Sequence, residues 1–354
     1  MTARDVAARF LAWAIQQGIL PAYLSNAARQ GRGDPLFDGD SQRAADILRR
    51  SGITDIFHDD SAVIVYHPRR LLKRDLDDLP QQIGAVRVGY RKSSGDAVVD
   101  NLAAEMAAGV SPATSVQGRF TCGGSIGIGP IPGAGTLGAL VADSHGVLFG
   151  LTNNHVIGGC NHMPTGLPVV APGPCDMLPG GIDPFCVGHH AQSVPFQIGI
   201  PGIVAHYDNI DAAIFKVANP NTVTSMQRGA YDTPAATAAL HTGMAVTKAG
   251  RTTGITTGTI VGQAINAVPV SYDLPQVGFS GRAYFDQVYI ADGDGGQPFA
   301  ARGDSGSLVV CERADGSRVS VGLVFAVAGD RTLIIPIDPV LHKLGVSLVG
   351  GHHA

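Results

Sequence analysis

Charged residues are scarce in this 354-residue chain, and neither sign dominates. Asp, Glu, Lys and Arg make up 15% of the sequence, and the formal net charge is −4. Without a basic excess there is no overall field to attract a polyanion, so we expect no nucleic-acid partner. The sequence also lacks any run of eighteen or more apolar residues, which excludes a helical membrane span. We therefore expect no membrane partner.

Disulfide-forming patterns and a secretory leader are missing as well. Residues 1–20 contain no continuous hydrophobic segment and no small-residue cleavage site. The cysteines are odd in number and do not recur at spacings typical of disulfide-rich secreted proteins. They are Cys122, Cys160, Cys175, Cys186 and Cys311. These features favour reduced thiols and a cytoplasmic location.

Glycine and proline, by contrast, are abundant, with 47 and 22 copies scattered among short runs of Val, Ile and Leu. That pattern favours many strands joined by tight turns, so we expect a mainly β protein. Helical spacing of apolar residues is confined to the beginning, at 2–18 and 41–50, and the alanine-rich segment 96–110 is a further helix candidate. Residues 1–118 are therefore predicted to form a small α+β appendage ending in a linker.

One pentapeptide is built to present a serine hydroxyl: Gly303-Asp304-Ser305-Gly306-Ser307, followed by an apolar run. Glycines on both sides of Ser305 allow a tight turn, because glycine adopts positive φ at little cost. The backbone amides of Gly303 and Ser305 can then point into one small concavity. Such a pair of donors forms an oxyanion hole, and Ser305 is the predicted nucleophile.

A base and an orienting carboxylate are also present. His155 follows an apolar strand candidate and opens a turn, which makes it the predicted proton acceptor. Asp211 precedes the apolar run 212–217, where it could hold an imidazole; Asp208, three residues earlier, is the competing candidate. The chain order His, Asp, Ser is the order in which chymotrypsin carries the same three residue types.

These segments resemble the trypsin and chymotrypsin superfamily of serine proteases. The run 246–254 (Val-Thr-Lys-Ala-Gly-Arg-Thr-Thr-Gly) and the serine motif resemble the alpha-lytic and streptogrisin branch. The stretch 122–340, with Thr-Asn-Asn-His at the histidine turn, resembles the trypsin-like domain of plant Narrow-leaf proteins and their bacterial relatives. The resemblance implies a chymotrypsin-like double six-stranded antiparallel β-barrel. Its lobes would span 119–235, with His155 and Asp211, and 236–354, with Ser305, the oxyanion hole and a C-terminal tail.

The resemblance also implies a buried cation beside Asp304, whose carboxylate supports the oxyanion turn in this superfamily. Lys248 matches the internal partner of the alpha-lytic branch, so we expect a Lys248–Asp304 ion pair. Arg251 and Arg302 are the alternatives, with Lys248 then a solvated strand residue.

The resemblance further places the side chains of a specificity pocket. Phe299 stands where an acidic group lies in enzymes that cleave after arginine or lysine, so this pocket is expected to be apolar. The strand 322–327 would form the opposite wall and bind an extended substrate as an added strand. The predicted substrate-binding residues are Phe299, Arg302, Phe325, Ala326 and Val327.

Two segments could be taken for metal sites, and neither has the required pattern. Cysteines and histidines cluster between 160 and 190 but lack a paired C-x-x-C module. The acidic run 292–296 lacks the ligand series and terminal glutamate of a calcium loop. We expect no metal and no cofactor.

The combined motifs predict a serine endopeptidase that hydrolyses peptide bonds through an acyl-enzyme, with a preference for small or medium apolar side chains before the scissile bond. Its partners would be protein or peptide substrates. The alternative is a catalytically idle peptide-binding or scaffold protein that retains the fold. The sequence leaves open a homo-oligomer or a regulatory partner bound through residues 1–118.

Overall fold

A computed structural model describes residues 1–24, 41–93, 95–100, 109–111, 115–129, 131–177, 185–200 and 203–353. Its α-helices are α1 (Ala3–Gln16), α2 (Ser41–Ser51), α3 (Lys73–Asp77), α4 (Asn154–Ile157) and α5 (Ile337–Leu344). The N-terminal strands are β1 (Asp55–His58), β2 (Ala62–His67), β3 (Gln82–Ile83), β4 (Val86–Lys92), β5 (Ala97–Asp100) and β6 (Ser115–Val116).

The middle of the chain contributes β7 (Arg119–Cys122), β8 (Ser125–Ile128), β9 (Gly135–Thr136), β10 (Ala139–Ala142), β11 (Leu148–Thr152), β12 (Pro168–Ala171), β13 (Phe185–Ser193), β14 (Ala213–Val217), β15 (Val223–Gln227) and β16 (Tyr231–Asp232). The last part contributes β17 (Ala245–Gly250), β18 (Gly254–Ala264), β19 (Val268–Leu274), β20 (Phe279–Phe285), β21 (Tyr289–Gly293), β22 (Leu308–Glu312), β23 (Arg318–Ala328), β24 (Arg331–Pro336) and β25 (Ser347–Leu348). The predicted mainly β class is confirmed.

A closed antiparallel barrel forms from the C-terminal part, here called the second lobe. Strand β17 pairs with β18, β18 with β21, β21 with β24, β24 with β23, β23 with β22, and β22 returns to β17. The sequence contributes these strands as short runs of Val and Ile bounded by glycine. In the closed barrel each strand pairs with a neighbour on both edges, so none of these edges is left open. Phe299, Ile260 and Val309 are among the side chains buried in its interior.

A second curved sheet, the first lobe, runs in the order β10, β11, β14, β13, β12 and β8, with neighbouring strands antiparallel. Its core contains Phe215, Leu140 and Val169, all fully buried. The first lobe carries the His155 turn between β11 and β12, and the second carries the Ser305 turn before β22.

The N-terminal region is attached to the second lobe through its backbone. Thr2 and Asp5 form a capping box that starts α1, and the apolar face of this helix is buried with that of α2 against β1, β2 and β4. Strand β1 pairs antiparallel with β18. The appendage is thus continuous with the barrel sheet, while the boundaries at 118 and 235 stay predictions.

The helix predicted over 96–110 is wrong where the structure describes it. Residues Ala97–Asp100 form β5, which lies between β19, in parallel, and β23, in antiparallel orientation. Two valines at its centre favour a strand. The rest of the predicted helix, at 101–108, lies outside the described residues.

The end of the chain returns to the first lobe. After α5, strand β25 pairs antiparallel with β10, in the register Val141 to Leu348. In the part of the chain that the structure describes, no helix combines the length and apolar character needed to cross a membrane.

Candidate active site

The His155 turn and Asp211 are brought together by strand pairing. Strands β11 and β14 are antiparallel, with Thr152 opposite Ala213, so the residues after one strand lie beside the residues before the other. His155 Nδ1 lies 2.6 Å from Asp211 Oδ2, and the His155 backbone amide donates to Asp211 Oδ1 at 3.1 Å. Both side chains are fully buried. This arrangement fixes the imidazole with Nδ1 toward the carboxylate.

The competing carboxylate, Asp208, is turned away from this pair. Its side chain is 81% exposed, and Lys343 Nζ lies 3.3 Å from its Oδ1. Asn153 instead secures Asp211 by donating from Nδ2 to the Asp211 carbonyl at 2.5 Å. The structure therefore brings Asp211, and not Asp208, to His155.

Sequence reasoning missed a third contact to the carboxylate. The Tyr272 hydroxyl, on β19, donates to Asp211 Oδ2 at 2.9 Å. Burial, and after it the negative charge of Asp211, raises the pKa of Tyr272 well above its ordinary value, so the hydroxyl stays protonated. Tyr272 comes from an alternating strand 61 residues after Asp211, and no local motif marks it.

The Ser305 turn has the backbone that its glycines predict. Gly303 and Gly306 have φ of 92° and 94°, values that side-chain-bearing residues rarely adopt. Within the turn, the amide of Asp304 donates to the Ala301 carbonyl at 3.0 Å. The amides of Gly303 and Ser305 donate to no protein acceptor within the described ranges. Ser305 itself is partly exposed.

Hydrogen bonds join this turn to the first lobe, and we call these contacts the seam. The Thr136 amide donates to the Ser305 carbonyl at 2.8 Å, and the Thr136 hydroxyl donates to the Gly303 carbonyl at 2.9 Å. Thr152 Oγ1 in turn donates to the Thr136 carbonyl at 2.8 Å. Thr152 ends the strand that leads to His155. The seam therefore holds the Ser305 turn on the side of the lobe interface where His155 lies.

Close packing at two glycines supports the same placement. A Cβ on Gly135 would lie 3.2 Å from the Ser305 carbonyl oxygen and 2.8 Å from Val156 Cγ1. Gly135 thus separates Ser305 from the residue that follows His155. A Cβ on Gly306 would lie 3.3 Å from Thr152 Cα and closer still to the Thr136 carbonyl.

Asp304 is buried in a ring of donors. Lys248 Nζ lies 3.2 Å from Asp304 Oδ2, with both side chains fully buried. The amides of Thr252 and Ala301 donate to its two oxygens at 2.8 and 3.0 Å, and Thr253 Oγ1 donates at 2.7 Å. Burial acts to raise the pKa of Asp304, but the Lys248 charge and these donors outweigh it and hold the pKa below its ordinary value.

The alternative cations lie elsewhere. Arg251 is buried and forms a bidentate pair with Asp176. Arg302 is exposed, and its backbone carbonyl accepts from Thr252 Oγ1 at 2.7 Å. The structure therefore places Lys248, rather than either arginine, beside Asp304.

The predicted pocket residues fall into two groups. Phe299 is fully buried in the barrel core, and Val327 packs against the same cluster. Phe325 and Ala326 belong instead to the cluster shared by both lobes, because a register shift between Val324 and Ala326 interrupts the alternation of β23. These four side chains are apolar, Arg302 is exposed, and the specificity pocket itself stays a prediction.

The edge of β23 predicted to bind substrate is paired with the chain itself at one position. Val98 of β5 pairs antiparallel with Val327. The turn between β19 and β20 also reaches the histidine: Gln276 and Val277 line a small cleft together with His155. His155 is only 1% exposed.

The histidine and cysteine cluster is dispersed. His190 Nε2 lies 2.9 Å from Ser193 Oγ, and His190 Nδ1 lies 3.0 Å from the Pro164 carbonyl oxygen. Cys160 is buried, while His162 and His189 are exposed. All five cysteines lie within the described ranges, and none of them forms a disulfide. Among the described residues no three such side chains converge as metal ligands.

Comparisons with known proteins find likeness at the level of structure. No family model and no curated protein matches the chain. Thermobifida fusca Protease A is 20% identical with a TM-score of 0.42, over 65% of this chain and 98% of its own. The Nocardiopsis protease NAPase is 20% identical with a TM-score of 0.40, over 63% and 95%. Cellulomonas bogoriensis chymotrypsin is 18% identical with a TM-score of 0.40, over 65% and 97%. All three solved structures resemble this chain below 25% identity and below a TM-score of 0.5, so the superfamily stays a prediction of the sequence motifs.

Proposed function

We propose that this protein is a serine endopeptidase that uses Ser305, His155 and Asp211. The observation that carries the proposal is the fully buried His155–Asp211 pair, with 2.6 Å between Nδ1 and Oδ2. A carboxylate at Nδ1 leaves Nε2 as the basic nitrogen of the ring. The Ser305 turn lies across the seam on the same side of the lobe interface.

The reaction follows from these positions. Ser305 Oγ attacks the peptide carbonyl while His155 Nε2 takes the hydroxyl proton, and the amides of Gly303 and Ser305 bind the resulting oxyanion. His155 then gives the proton to the leaving amine, and the C–N bond breaks to leave an acyl-enzyme. Water, deprotonated by His155, attacks the ester and releases the acid, which restores the Ser305 hydroxyl.

The pocket supports a preference for apolar side chains of small or medium size. Phe299 is fully buried at the position where the resemblance would place a charged specificity residue, and Val327 packs against the same apolar cluster. An arginine or lysine side chain would lose its hydration there without gaining a counter-charge. The substrate would be a protein or peptide in extended conformation, and we propose a cytoplasmic location, where cysteine thiols stay reduced.

Active-site labelling tests the proposal. A fluorophosphonate probe should label the wild-type protein and fail to label Ser305→Ala, since the probe needs an activated serine. Ser317→Ala is the matched control, because Ser317 lies in an exposed surface turn with Asp315. Labelling that persists in Ser305→Ala, or a wild-type protein that neither labels nor cleaves any peptide of a library, contradicts the proposal.

A specific observation favours a second candidate, a peptide-binding protein that keeps the fold without turnover. His155 is 1% exposed and Val98 of β5 pairs with Val327 of β23, so the histidine and that position of the strand edge are covered in this structure. Peptide binding of equal strength in wild type and Ser305→Ala, without labelling of either, would support this candidate.

A further inference from the structure

We propose that Tyr272 is a positioning residue for the reaction, which fixes the Asp211 carboxylate and through it the His155 ring. This inference rests on the proposed function. Its basis is the hydrogen bond of 2.9 Å from the Tyr272 hydroxyl to Asp211 Oδ2, the oxygen that also faces His155 Nδ1.

The contacts of the carboxylate show what Tyr272 adds. Oδ1 accepts from the His155 backbone amide, and Oδ2 faces the His155 ring. Among the residues that the structure describes, the side-chain oxygens of Asp211 are thus held by His155 itself and by Tyr272. The tyrosine supplies an anchor from another element, which is what fixes a carboxylate against rotation.

The tyrosine ring is itself held by neighbours. It lies 5.3 Å from the Phe196 ring and 6.3 Å from the Phe285 ring, between centroids, and 5.9 Å from that of His155. Its side chain is fully buried. A donor packed in this way loses little entropy when it bonds, so its direction is set before substrate arrives.

The position of Tyr272 on β19 couples the two lobes. Strands β19 and β20 form an antiparallel hairpin that lies in sequence between β18 and β21 of the second lobe. His155 and Asp211 belong to the first lobe. The hydroxyl therefore reaches across the interface to the buried pair, and correct docking of the hairpin becomes a condition for an oriented base.

Tyr272→Phe tests the role, because it removes the hydroxyl and keeps the ring. We expect kcat/KM to fall roughly 10- to 100-fold, the range for a hydrogen bond to a charged group, with KM little changed. A loss confined to kcat separates a misoriented base from a disturbed substrate site.

The matched control is Tyr231→Phe. Tyr231 is also buried, and its hydroxyl has no hydrogen-bond partner among the described residues. The Tyr231→Phe variant should leave both kcat and KM unchanged. If Tyr272→Phe keeps the wild-type kcat, Tyr272 does not position the pair.

A readout without turnover separates this inference from the proposed function. In a Ser305→Ala background with ¹⁵N-labelled histidine, the proton on His155 Nδ1 should exchange with water faster in Tyr272→Phe than with Tyr272 intact, because the carboxylate that holds this proton is less firmly fixed. Unchanged exchange of this proton overturns the positioning role whether or not the protein is a peptidase. If the wild-type protein has no activity but the exchange is faster in Tyr272→Phe, only the proposed peptidase function is wrong.

A different observation carries a second inference: we infer that Ala97–Asp100 occupies the slot in which an extended peptide would bind. The slot lies between β19 and β23, and β5 pairs with both, Val99 opposite Tyr272 and Val98 opposite Val327. Ala97 and Val99 are buried in the same cluster as Phe325. This second inference also rests on the proposed function.

The pairing identifies the ligand class and the consequence for access. Strand addition uses the main chain for affinity and alternate side chains for selectivity. An extended peptide with small or β-branched residues at alternate positions fits the slot that Ala97 and Val99 fill. Any such peptide must displace β5, so the N-terminal segment competes with substrate.

A binding experiment in the Ser305→Ala background tests this competition. The probe is a capped, fluorescent peptide with the sequence Ala-Val-Val-Asp of residues 97–100. Val98→Pro removes a backbone donor and disfavours β5, and it should bind the probe at least about tenfold more tightly than Val98→Thr, the control that keeps a β-branched residue. Equal affinities in two folded variants overturn the inference.

Hydrogen exchange covers the case in which Val98→Pro does not fold. Saturating probe should speed exchange at residues 97–100 in the otherwise unaltered chain, because displaced amides become exposed. Exchange there that does not respond to bound probe overturns the inference as well. Both readouts are independent of turnover, so a failed peptidase assay leaves them interpretable.

Discussion

Asp208 and Asp211 lie three residues apart, and their surroundings suit them to opposite roles. The Asp208 side chain is 81% exposed beside Lys343, where water screens its charge. Asp211 is fully buried and faces His155 with both oxygens bonded. A buried carboxylate with fixed donors can orient an imidazole, and a solvated one cannot.

Substitution of these two residues gives a matched test. Asp211→Asn should lower kcat by roughly 10⁴-fold, the size of effect that this change has in a Ser-His-Asp triad, because the amide favours the wrong ring tautomer. Asp208→Asn should stay within about twofold, as expected of a surface substitution. Steady-state kinetics on one peptide substrate checks both, and similar losses for the two variants would contradict the assignment.

Lys248 is the second residue whose role depends on burial. Burial lowers the pKa of Lys248, and the neighbouring Asp304 opposes that effect. Lys248→Met leaves Asp304 as a buried charge without its cation, so we expect a loss on the order of 3–5 kcal/mol in the free energy of unfolding. Urea denaturation measures this loss. Lys216→Met, at an exposed position of β14, should change it by less than about 0.5 kcal/mol.

At the scale of elements, the seam depends on glycine at a close approach. Gly306 has a φ of 94°, and a Cβ there would collide with the Thr136 carbonyl and the Thr152 hydroxyl. Gly316 has a similar φ of 80° but nothing within 4 Å of its Cβ position. The two positions therefore separate backbone strain from steric conflict at the lobe interface.

Alanine at each position exploits this difference. Gly316→Ala should lose about 1–2 kcal/mol of unfolding free energy from the left-handed backbone alone. Gly306→Ala should lose more, and should also lose fluorophosphonate labelling, because the Ser305 turn must shift. Thermal melts and labelling check the pair; equal losses of stability with labelling kept would show that the seam tolerates a methyl group.

Local motifs account for what the sequence predicted among these elements. The glycines around Ser305, the strand before His155 and the strand after Asp211 each mark a site residue within a few positions. Tyr272 and β5 could not be found this way, because their partners lie far away in sequence. The alanines of 96–110 favoured a helix, and pairing with two strands decided otherwise at Ala97–Asp100.

At the scale of the whole molecule, buried carboxylates set the response to acid. The pKa of Asp304 is lowered in the folded state, so its stabilising contribution is present above the ordinary value near 4 and is lost as the pH falls through the lower folded value. Burial raises the pKa of Asp55, so its contribution has the opposite sign.

Chemical denaturation between pH 5 and pH 2 checks these signs. The wild-type free energy of unfolding should fall with acid more steeply than that of Asp304→Asn, which lacks the titrating group. The free energy of unfolding of Asp55→Asn should fall with acid more steeply than that of the wild type, because this variant lacks a group whose protonation favours the folded state. An Asp304→Asn slope equal to that of the wild type would show that Asp304 is not held in its charged form.

The chain closes on itself in a way that crosses the two lobes. After the barrel is complete, β25 adds to the edge of β10, the Gly351 amide donates to Asp232 Oδ2 at 2.6 Å, and the His352 amide donates to Ser225 Oγ at 2.9 Å. The first lobe is therefore completed by residues that follow the second lobe in sequence. During synthesis the sheet that carries His155 can be completed only after the barrel that carries Ser305 has been made. If the chain were cut between the lobes, both fragments would be needed to complete the first lobe.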